Sequence, residues 1–454
     1  MEQLYTDDDP EYRRTLLDSG IPPPSSRFAF PNHPNQDKNA GYDPRPTKRS
    51  RPQMDERPPQ KQSRIAPPPF EPNFKTSTDF LECKKRVKVE DKILVGKATL
   101  GSDTWSLAEV SNQVRALRER IQRVSKEQLA EARRLSNPFE RIGKSIFMNR
   151  AATKLAALDA TFSLTSTPDN KPFYFADVCG GPGGFSEYLL WRIHSWAAEA
   201  KGFGITLKAP PAKDEVNWHL EKWNPDLARQ FTCIDGQDGT GDLYKEANIR
   251  FFGDQVLAHT HGHPVDLVVA DGGFDFSGQE EQQERISQRL ILCEIITMLI
   301  CLRRGGHFVC KFFDILHEFT ADLVWLLYQL FDTICITKPL TSRPANSERY
   351  LVCKGLRVER PETLIAALIH VSNTMEAESV ESFIDKTVFD EDEDFVDYIM
   401  MRNIRFASQQ TEALERFEHA LKDPETLPVC DQEHVRRRCL TEWRLPLNSD
   451  SDVA

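Results

Sequence analysis

Between residues 143 and 354 the chain alternates between two hydrophobic rhythms. Phe173 to Val178, Gly202 to Leu207, Val265 to Asp271, Gly305 to Lys311, Thr333 to Lys338 and Tyr350 to Lys354 are short apolar runs. They predict strands, because a strand buried on both faces needs no polar side. Gly143 to Asp159, Phe185 to Ile193, Glu284 to Leu302 and Glu318 to Phe331 place apolar residues three and four apart instead, the spacing that lines one face of a helix. Strands and helices in alternation predict an α/β fold with a doubly wound, mostly parallel sheet. The segment before it, Leu107 to Leu135, is also helical in pattern. Ser136-Asn137-Pro138-Phe139-Glu140 has the form of a helix start.

Composition changes the picture at both ends. Residues 1 to 75 hold 15 of the 29 prolines and few aliphatic residues, so this segment cannot bury enough apolar surface to fold and is expected to be disordered. Its Lys48-Arg49-Ser50-Arg51 cluster has the composition of a nuclear-import signal, and equally that of a solvated charge run. A linker is expected over 76–106, the folded domain with its basic leading helices over 107–365, and an acidic, mainly helical extension over 366–454.

The net charge of −11 argues against a nucleic-acid partner, but it averages over a polarised chain. Residues 115 to 154 hold eleven Lys and Arg against four acids, whereas residues 371 to 400 hold ten acids against one Lys. The first stretch suits an RNA-facing surface or a solvated helix face; the second suits a partner surface or a solvated spacer. The ten cysteines contain no C-x-x-C pair, which fits a reducing compartment. His259, His261 and His263 flank Gly262 and Pro264 and read as a loop rather than a metal site. The most apolar run, Ile291 to Leu302, is too short to span a membrane and contains Glu294.

Candidate chemistry centres on Gly180-Gly181-Pro182-Gly183-Gly184, between the first predicted strand and the next helix. Strand, glycine turn and helix let a ligand approach bare backbone at the carboxyl edge of a sheet. A tight turn of no chemical interest fits the same glycines. A dinucleotide site does not: the run is not G-x-G-x-x-G, and the following strand ends in Leu207-Lys208 rather than in an acid. Asp235, Asp238 and Asp242 stand among glycines further on, as Asp-Gly turns or as partners for an adenosine. Lys154, Asp271, Lys311 and Glu348 fall at positions that a doubly wound sheet gathers at one edge. Each alone is an ordinary surface charge; around a glycine-lined slot they become a candidate catalytic group.

The words around these residues resemble the FtsJ-type ribose 2′-O-methyltransferases, and in particular their cap-specific mRNA branch. They are Phe147 to Lys154 (FMNRAATK), Cys179 to Phe185 (CGGPGGF), Ala270 to Phe274 (ADGGF), Gly305 to Lys311 (GGHFVCK) and Thr341 to Tyr350 (TSRPANSERY), within a likeness spanning about residues 107 to 446. The resemblance implies a Rossmann-like methyltransferase domain with S-adenosylmethionine as cofactor and no metal. It implies methyl transfer to the 2′-hydroxyl of the first transcribed nucleotide of 5′-capped mRNA, with Lys311 as general base in a Lys154-Asp271-Lys311-Glu348 tetrad. Cofactor contacts are implied for Asn149, Cys179, Gly180, Gly181, Pro182, Gly183, Gly184, Phe185, Asp242 and Leu243. Substrate contacts are implied for Arg118, Arg133, Glu281, Gln282, Gln283 and Asn346.

A lysine serves as a base only if its pKa falls, and Lys154 and Lys311 side by side should lower the pKa of one of them. On the same reasoning Gly183→Val should fill the cofactor's methionine slot and leave the fold intact. The resemblance further implies a nuclear protein working beside the transcription or capping machinery. The G-patch, guanylyltransferase-like and WW modules of longer members are not legible here, which bears on recruitment and not on catalysis. Two other readings stay open. One is transfer to the second transcribed nucleotide or to an internal rRNA or tRNA ribose; the other, from a different class, is an inactive cofactor-binding RNA adaptor.

Overall fold

The computed structural model describes residues 69–96, 105, 108–121, 124–166, 171–274, 276 and 279–447. The expected disordered tail up to residue 68, with its basic cluster, lies outside the described residues. Two short strands come first, β1 (Leu81–Glu82) and β2 (Ile93–Gly96), then helices α1 (Ala108–Ile121) and α2 (Lys126–Ser136). With turns of fewer than eight residues left unlabelled, the chain continues through α3 (Arg150–Phe162), β3 (Phe173–Val178), α4 (Gly184–Ser195), β4 (Ala200–Ile205), β5 (Phe231–Cys233), α5 (Glu246–His259) and β6 (Val265–Ala270). After these come α6 (Gln283–Cys301), β7 (Leu302–Phe312), α7 (Glu318–Leu330), β8 (Phe331–Thr337) and β9 (Arg349–Leu356). The final elements are α8 (Glu362–Ala377), β10 (Ser382–Ile384), α9 (Glu393–Lys422) and α10 (Gln432–Glu442).

Eight strands form one sheet in the order β1-β8-β9-β7-β6-β3-β4-β5. The run from β7 to β5 is parallel, and β9 is a reversed strand inserted between β7 and β8. The strand order turns back between β3 and β6, so a crevice opens at their carboxyl ends, where open α/β sheets bind ligands. Alternate residues divide between two cores: Ala176, Val178, Val268 and Ala270 face α6 and α7, while Phe173, Phe175, Leu267 and Val269 face α3 and α4. This two-residue period is why the strands read as unbroken apolar runs.

Two expectations need correction. The helix expected from Gly143 begins at Arg150, because Gly143 and Ser145 have positive φ and Asn149 caps the helix by accepting from Ala151 N at 2.9 Å. The span expected as a linker, 76–106, contributes β1 to the sheet edge against β8, and β2 pairs with β10. Strands of two and four residues are too short to show a period, and backbone pairing holds them. The extension expected over 366–454 is mainly helical, and its Leu368, Val371, Phe383, Phe395 and Ile399 belong to the same core as the sheet. The acidic stretch within it is partly neutralised from inside, with Lys84 on Asp394 at 2.7 Å and Lys85 on Glu391 at 2.5 Å.

Helix α9 packs against α1 and α2. Its Leu414 meets Val114 and Leu117, and its Phe417 and Ala420 meet Ala132, while its Glu418 takes Arg120 of α1 at 3.0 Å. No helix among the described residues is long and apolar enough to cross a membrane. Among the same residues no three His, Cys, Asp or Glu side chains gather as a metal site requires, and His259 Nδ1 bonds only its own helix at Gln255 O, 2.8 Å away.

Candidate active site

Sheet register assembles the charged group. Val178 stands opposite Ala270, Ala270 opposite Cys310, and Lys311 opposite Tyr350. The residues that follow, Cys179 and Asp271, therefore come level with Lys311 at one edge, and Glu348 arrives just before β9. Lys154 enters from α3, whose capped start at Asn149 lies against the glycine corner. Asn149 and Lys154 thus face different things, as a separation of one and a half turns demands.

Each tetrad lysine has its own carboxylate. Lys154 Nζ is 2.8 Å from Glu348 Oε2 and 3.9 Å from Asp271 Oδ2, and donates to Tyr350 Oη at 3.3 Å. Lys311 Nζ donates to Asp271 O at 2.8 Å and lies 3.2 Å from Asp271 Oδ1, which also accepts from Tyr350 Oη at 2.7 Å. Ser342 Oγ holds the other Glu348 oxygen at 2.6 Å. Burial works against charge on Lys154, but Asp271 and Glu348 outweigh it and its pKa rises. Burial likewise opposes charge on Glu348, and the surrounding Lys154, Lys311 and Lys338 nevertheless hold its carboxyl well below the usual range. The expected depression of a lysine pKa does not fall on Lys154.

The lysine that does move down is one that sequence reasoning passed over. Burial, reinforced by Arg349 and Lys154 and opposed by Glu348, pushes Lys338 to about 7. It lies behind the Thr341–Arg349 loop. Tyr350, Ser342 and Lys338 are first apparent in three dimensions: Ser342 and Lys338 act through partners on the folded loop, and Tyr350 through Asp271 and Lys154.

The glycine corner is tighter than expected. A Cβ on Gly180 would stand 2.2 Å from the Asp177 carboxyl, one on Gly183 2.3 Å from the Trp223 ring, and one on Gly184 2.1 Å from Asn149 Oδ1. Gly183 also has φ +115°, a conformation that side chains rarely adopt. The expectation that Gly183→Val spares the fold is therefore corrected: the added groups meet the protein's own indole before any ligand. Phe185 and Leu243 are buried in the core, so only their backbone is available to a cofactor. Asp242 comes near the corner because Gly241 packs on the Thr206 carbonyl, while Thr206 Oγ1 accepts from Gly181 N at 3.4 Å.

The residues present fit the expected cofactor. Asp177 sits fully buried beneath Gly180, with Oδ2 accepting from Ser186 at 2.6 Å and Oδ1 lacking any hydrogen-bond partner. Burial raises its carboxyl to about 7. An orphaned buried acceptor at a glycine corner suits a ligand that brings an amine or sulfonium charge. Burial also raises Cys179, with Glu294 adding to the effect, so its thiol is no nucleophile here.

Four of the six expected substrate contacts line one cavity. Arg118, Arg133, Gln283 and Asn346 surround a space of about 340 Å³, with Leu414 and Phe417 of α9 as its apolar wall. Ser347 Oγ donates to Gln283 Oε1 at 2.8 Å, which joins the cavity to the loop that carries Glu348. Glu281 faces Arg115 at 3.5 Å beside a neighbouring, smaller cavity, and Gln282 is exposed on the turn before α6.

A doubly wound sheet with a glycine corner at its switch point and a lysine–carboxylate cluster beside it defines a nucleotide-cofactor transferase class. Residues 147–356 match the FtsJ-like methyltransferases, and the chain carries a domain of that family, whose methyl donor is S-adenosylmethionine. It is 41% identical over 340 residues to the Mus musculus Cap-specific mRNA (nucleoside-2′-O-)-methyltransferase 1, a match covering 70% of this chain and 40% of the relative. The protein of the same name from Dictyostelium discoideum is 38% identical over 342 residues (71% and 44%), and that from Xenopus laevis 36% over 395 residues (81% and 46%). The matches thus span less than half the length of these relatives.

Proposed function

We propose that this chain transfers a methyl group from S-adenosylmethionine to the ribose 2′-hydroxyl of the first transcribed nucleotide of 5′-capped mRNA. One observation carries the reading: the lysine–carboxylate group and the arginine-lined cavity share the Thr341–Arg349 loop, with Glu348 on one side and Asn346 on the other. The names of the relatives point to the same substrate.

The cofactor, when bound, supplies a methyl group on a sulfonium open to attack by an oxygen. The chain must then place a hydroxyl and take its proton. Lys154 is tied to Glu348 and held as a cation, so the base falls to Lys311, whose Nζ is fixed by the carbonyl and carboxylate of Asp271. The hydroxyl would give its proton to Lys311 Nζ in its unprotonated amine form, and the cofactor, when bound, would supply the methyl by breaking its carbon–sulfur bond and leaving as a neutral thioether. Arg118 and Arg133 offer planar forks to the phosphates that join a cap to its first nucleotide, and Gln283 and Asn346 offer amides to sugar oxygens. A nuclear site of action, beside the transcription or capping machinery, goes with that substrate.

Incubation with methyl-tritiated S-adenosylmethionine and matched capped and uncapped short RNAs, followed by digestion to nucleosides, tests the reading. Label on the first nucleotide of the capped RNA is the expected result. Label on the second nucleotide or on internal riboses would replace it with the alternative targets, and absence of label with tight cofactor and RNA binding would make the chain an adaptor.

A further inference from the structure

Lys338 occupies the hinge between β8 and the Thr341–Arg349 loop. Its Nζ donates to Asn346 Oδ1 at 2.6 Å, to Asn346 O at 3.0 Å and to the Glu348 carbonyl. All three partners are oxygens, which Lys338 in its ammonium form meets with its three N–H groups. The first two belong to a residue lining the arginine cavity; the third belongs to the residue that pairs with Lys154. One side chain therefore touches the substrate side and the tetrad side of the same loop.

The bond to Asn346 has a chemical consequence. As an ammonium Lys338 can only donate, and the Asn346 carboxamide accordingly turns its oxygen towards Lys338 and its nitrogen away. Among the described residues that nitrogen has no partner, and Asn346 lines the cavity beside Arg118 and Arg133. A donor facing a cavity of cations suits phosphate or ribose oxygens; the flipped amide would present an acceptor to them and repel. Gln410 of α9 fixes the neighbouring carbonyl of Ala345 at 2.9 Å, so the backbone has a second support while the amide's orientation has only Lys338.

We infer that Lys338 is a positioning residue which, through the Asn346 carboxamide and the Glu348 backbone, fixes the donor face of the loop for the oxygens of the RNA and ties it to the tetrad. The inference rests on the proposed RNA substrate.

Its test is a double-mutant cycle read by equilibrium binding of a fluorescein-labelled capped oligonucleotide, with methyl transfer, cofactor affinity and thermal unfolding alongside. Lys338→Met and Asn346→Ala should each weaken RNA binding about tenfold, with cofactor affinity unchanged. The double variant should bind more tightly than the product of the two single losses predicts, because part of what Lys338 does passes through that amide and the rest through the Asn346 and Glu348 carbonyls. Lys338→Arg, which keeps charge and donors, should recover most of the affinity; a purely structural lysine would show its loss in the unfolding temperature and not in this rescue. If Lys338→Met fails to fold, Lys338→Gln takes its place in the cycle. Independent, multiplying losses, or unchanged binding in the Lys338 variant, would overturn the inference. Wild-type protein that binds the capped RNA but transfers no methyl would instead sink the proposed reaction and leave the cycle readable.

Discussion

The glycine corner and the Thr341–Arg349 loop flank the same site and are built on opposite principles. The corner depends on side chains being absent: Asp177, Trp223 and Asn149 already fill the space into which a Cβ would project. The loop depends on side chains being present, each reaching in from elsewhere. Arg150 bonds Thr341 O at 3.1 Å, Lys338 bonds Asn346 and Glu348, and Gln410 bonds Ala345 O. A steric device fails by not folding, whereas a hydrogen-bonded device fails by folding loosely. Substitutions at the corner should therefore be read in stability, and those at the loop and its cavity in RNA affinity and turnover.

The largest effect should come from a residue that belongs to neither device. Lys311→Ala removes the proposed base while the corner and loop stay as they are, so methyl transfer should fall by about 10²–10⁴-fold. Calorimetric titration should find S-adenosylmethionine binding within a few fold of wild type. Retained turnover would return the base to another group, and lost cofactor binding would make Lys311 part of the corner.

Gly183→Val sets the corner against its own alternative. The clash with Trp223 and a left-handed φ together should cost about 3 kcal/mol, seen as a large drop in unfolding temperature or as insoluble protein. A variant with wild-type stability and no cofactor binding would show that the ligand, not the indole, requires the glycine.

A pH series probes the same corner without adding bulk. Asp177 is raised to about 7 from an ordinary 3.8. A carboxyl raised in the folded state contributes stability that is whole below its unfolded pKa and is lost as pH climbs through the folded value. The cofactor-free protein should therefore lose stability between about pH 4 and 7, by about 1.4 kcal/mol for each unit of raised pKa. Asp177→Asn keeps an acceptor for Ser186 and cannot ionise, so its stability relative to wild type should rise across that window in thermal scans. A constant difference at every pH would mean that Asp177 is already ionised and its free oxygen satisfied.

The same contrast explains what was legible beforehand. β3, β6 and β7 are buried on both faces, so the strands and their tips could be read from apolar runs; the sheet order and register that bring Asp271 beside Lys311 came only with the fold. The glycines could be seen as a tight turn, but their neighbours could not: Trp223 lies 40 residues further along and has no local signature. Asp177 was a missed signal, since an acid inside an otherwise apolar buried strand calls for an explanation. Gln410 and the α9 wall of the cavity join positions far apart in sequence, and Lys338 reaches eight and ten residues along an irregular loop; no period or spacing encodes such contacts. The tetrad's electrostatics were misjudged for a related reason. Two nearby lysines suggest mutual repulsion, but Glu348 stands 2.8 Å from Lys154 and reverses the sign.

The smallest effect separates the cavity from both devices. Arg118 and Arg133 line it from α1 and α2, yet neither supports the Thr341–Arg349 loop through any hydrogen bond seen among the described residues. Truncating either should leave unfolding temperature and cofactor affinity unchanged. A charge-assisted bond to phosphate is worth about 1.5–3 kcal/mol, and a site open to solvent keeps the lower part of that range, so Arg118→Ala and Arg133→Ala should each raise KM for capped RNA about tenfold. On uncapped RNA of the same sequence with a 5′-hydroxyl end the rise should be smaller, because the triphosphate bridge and its contact are already missing. Steady-state kinetics on the matched pair of RNAs decides the matter. Equal weakening on both would make these arginines a general phosphate tether, and the contrast between loop and cavity would then hold for RNA binding at large while the target moved from the first nucleotide to internal riboses.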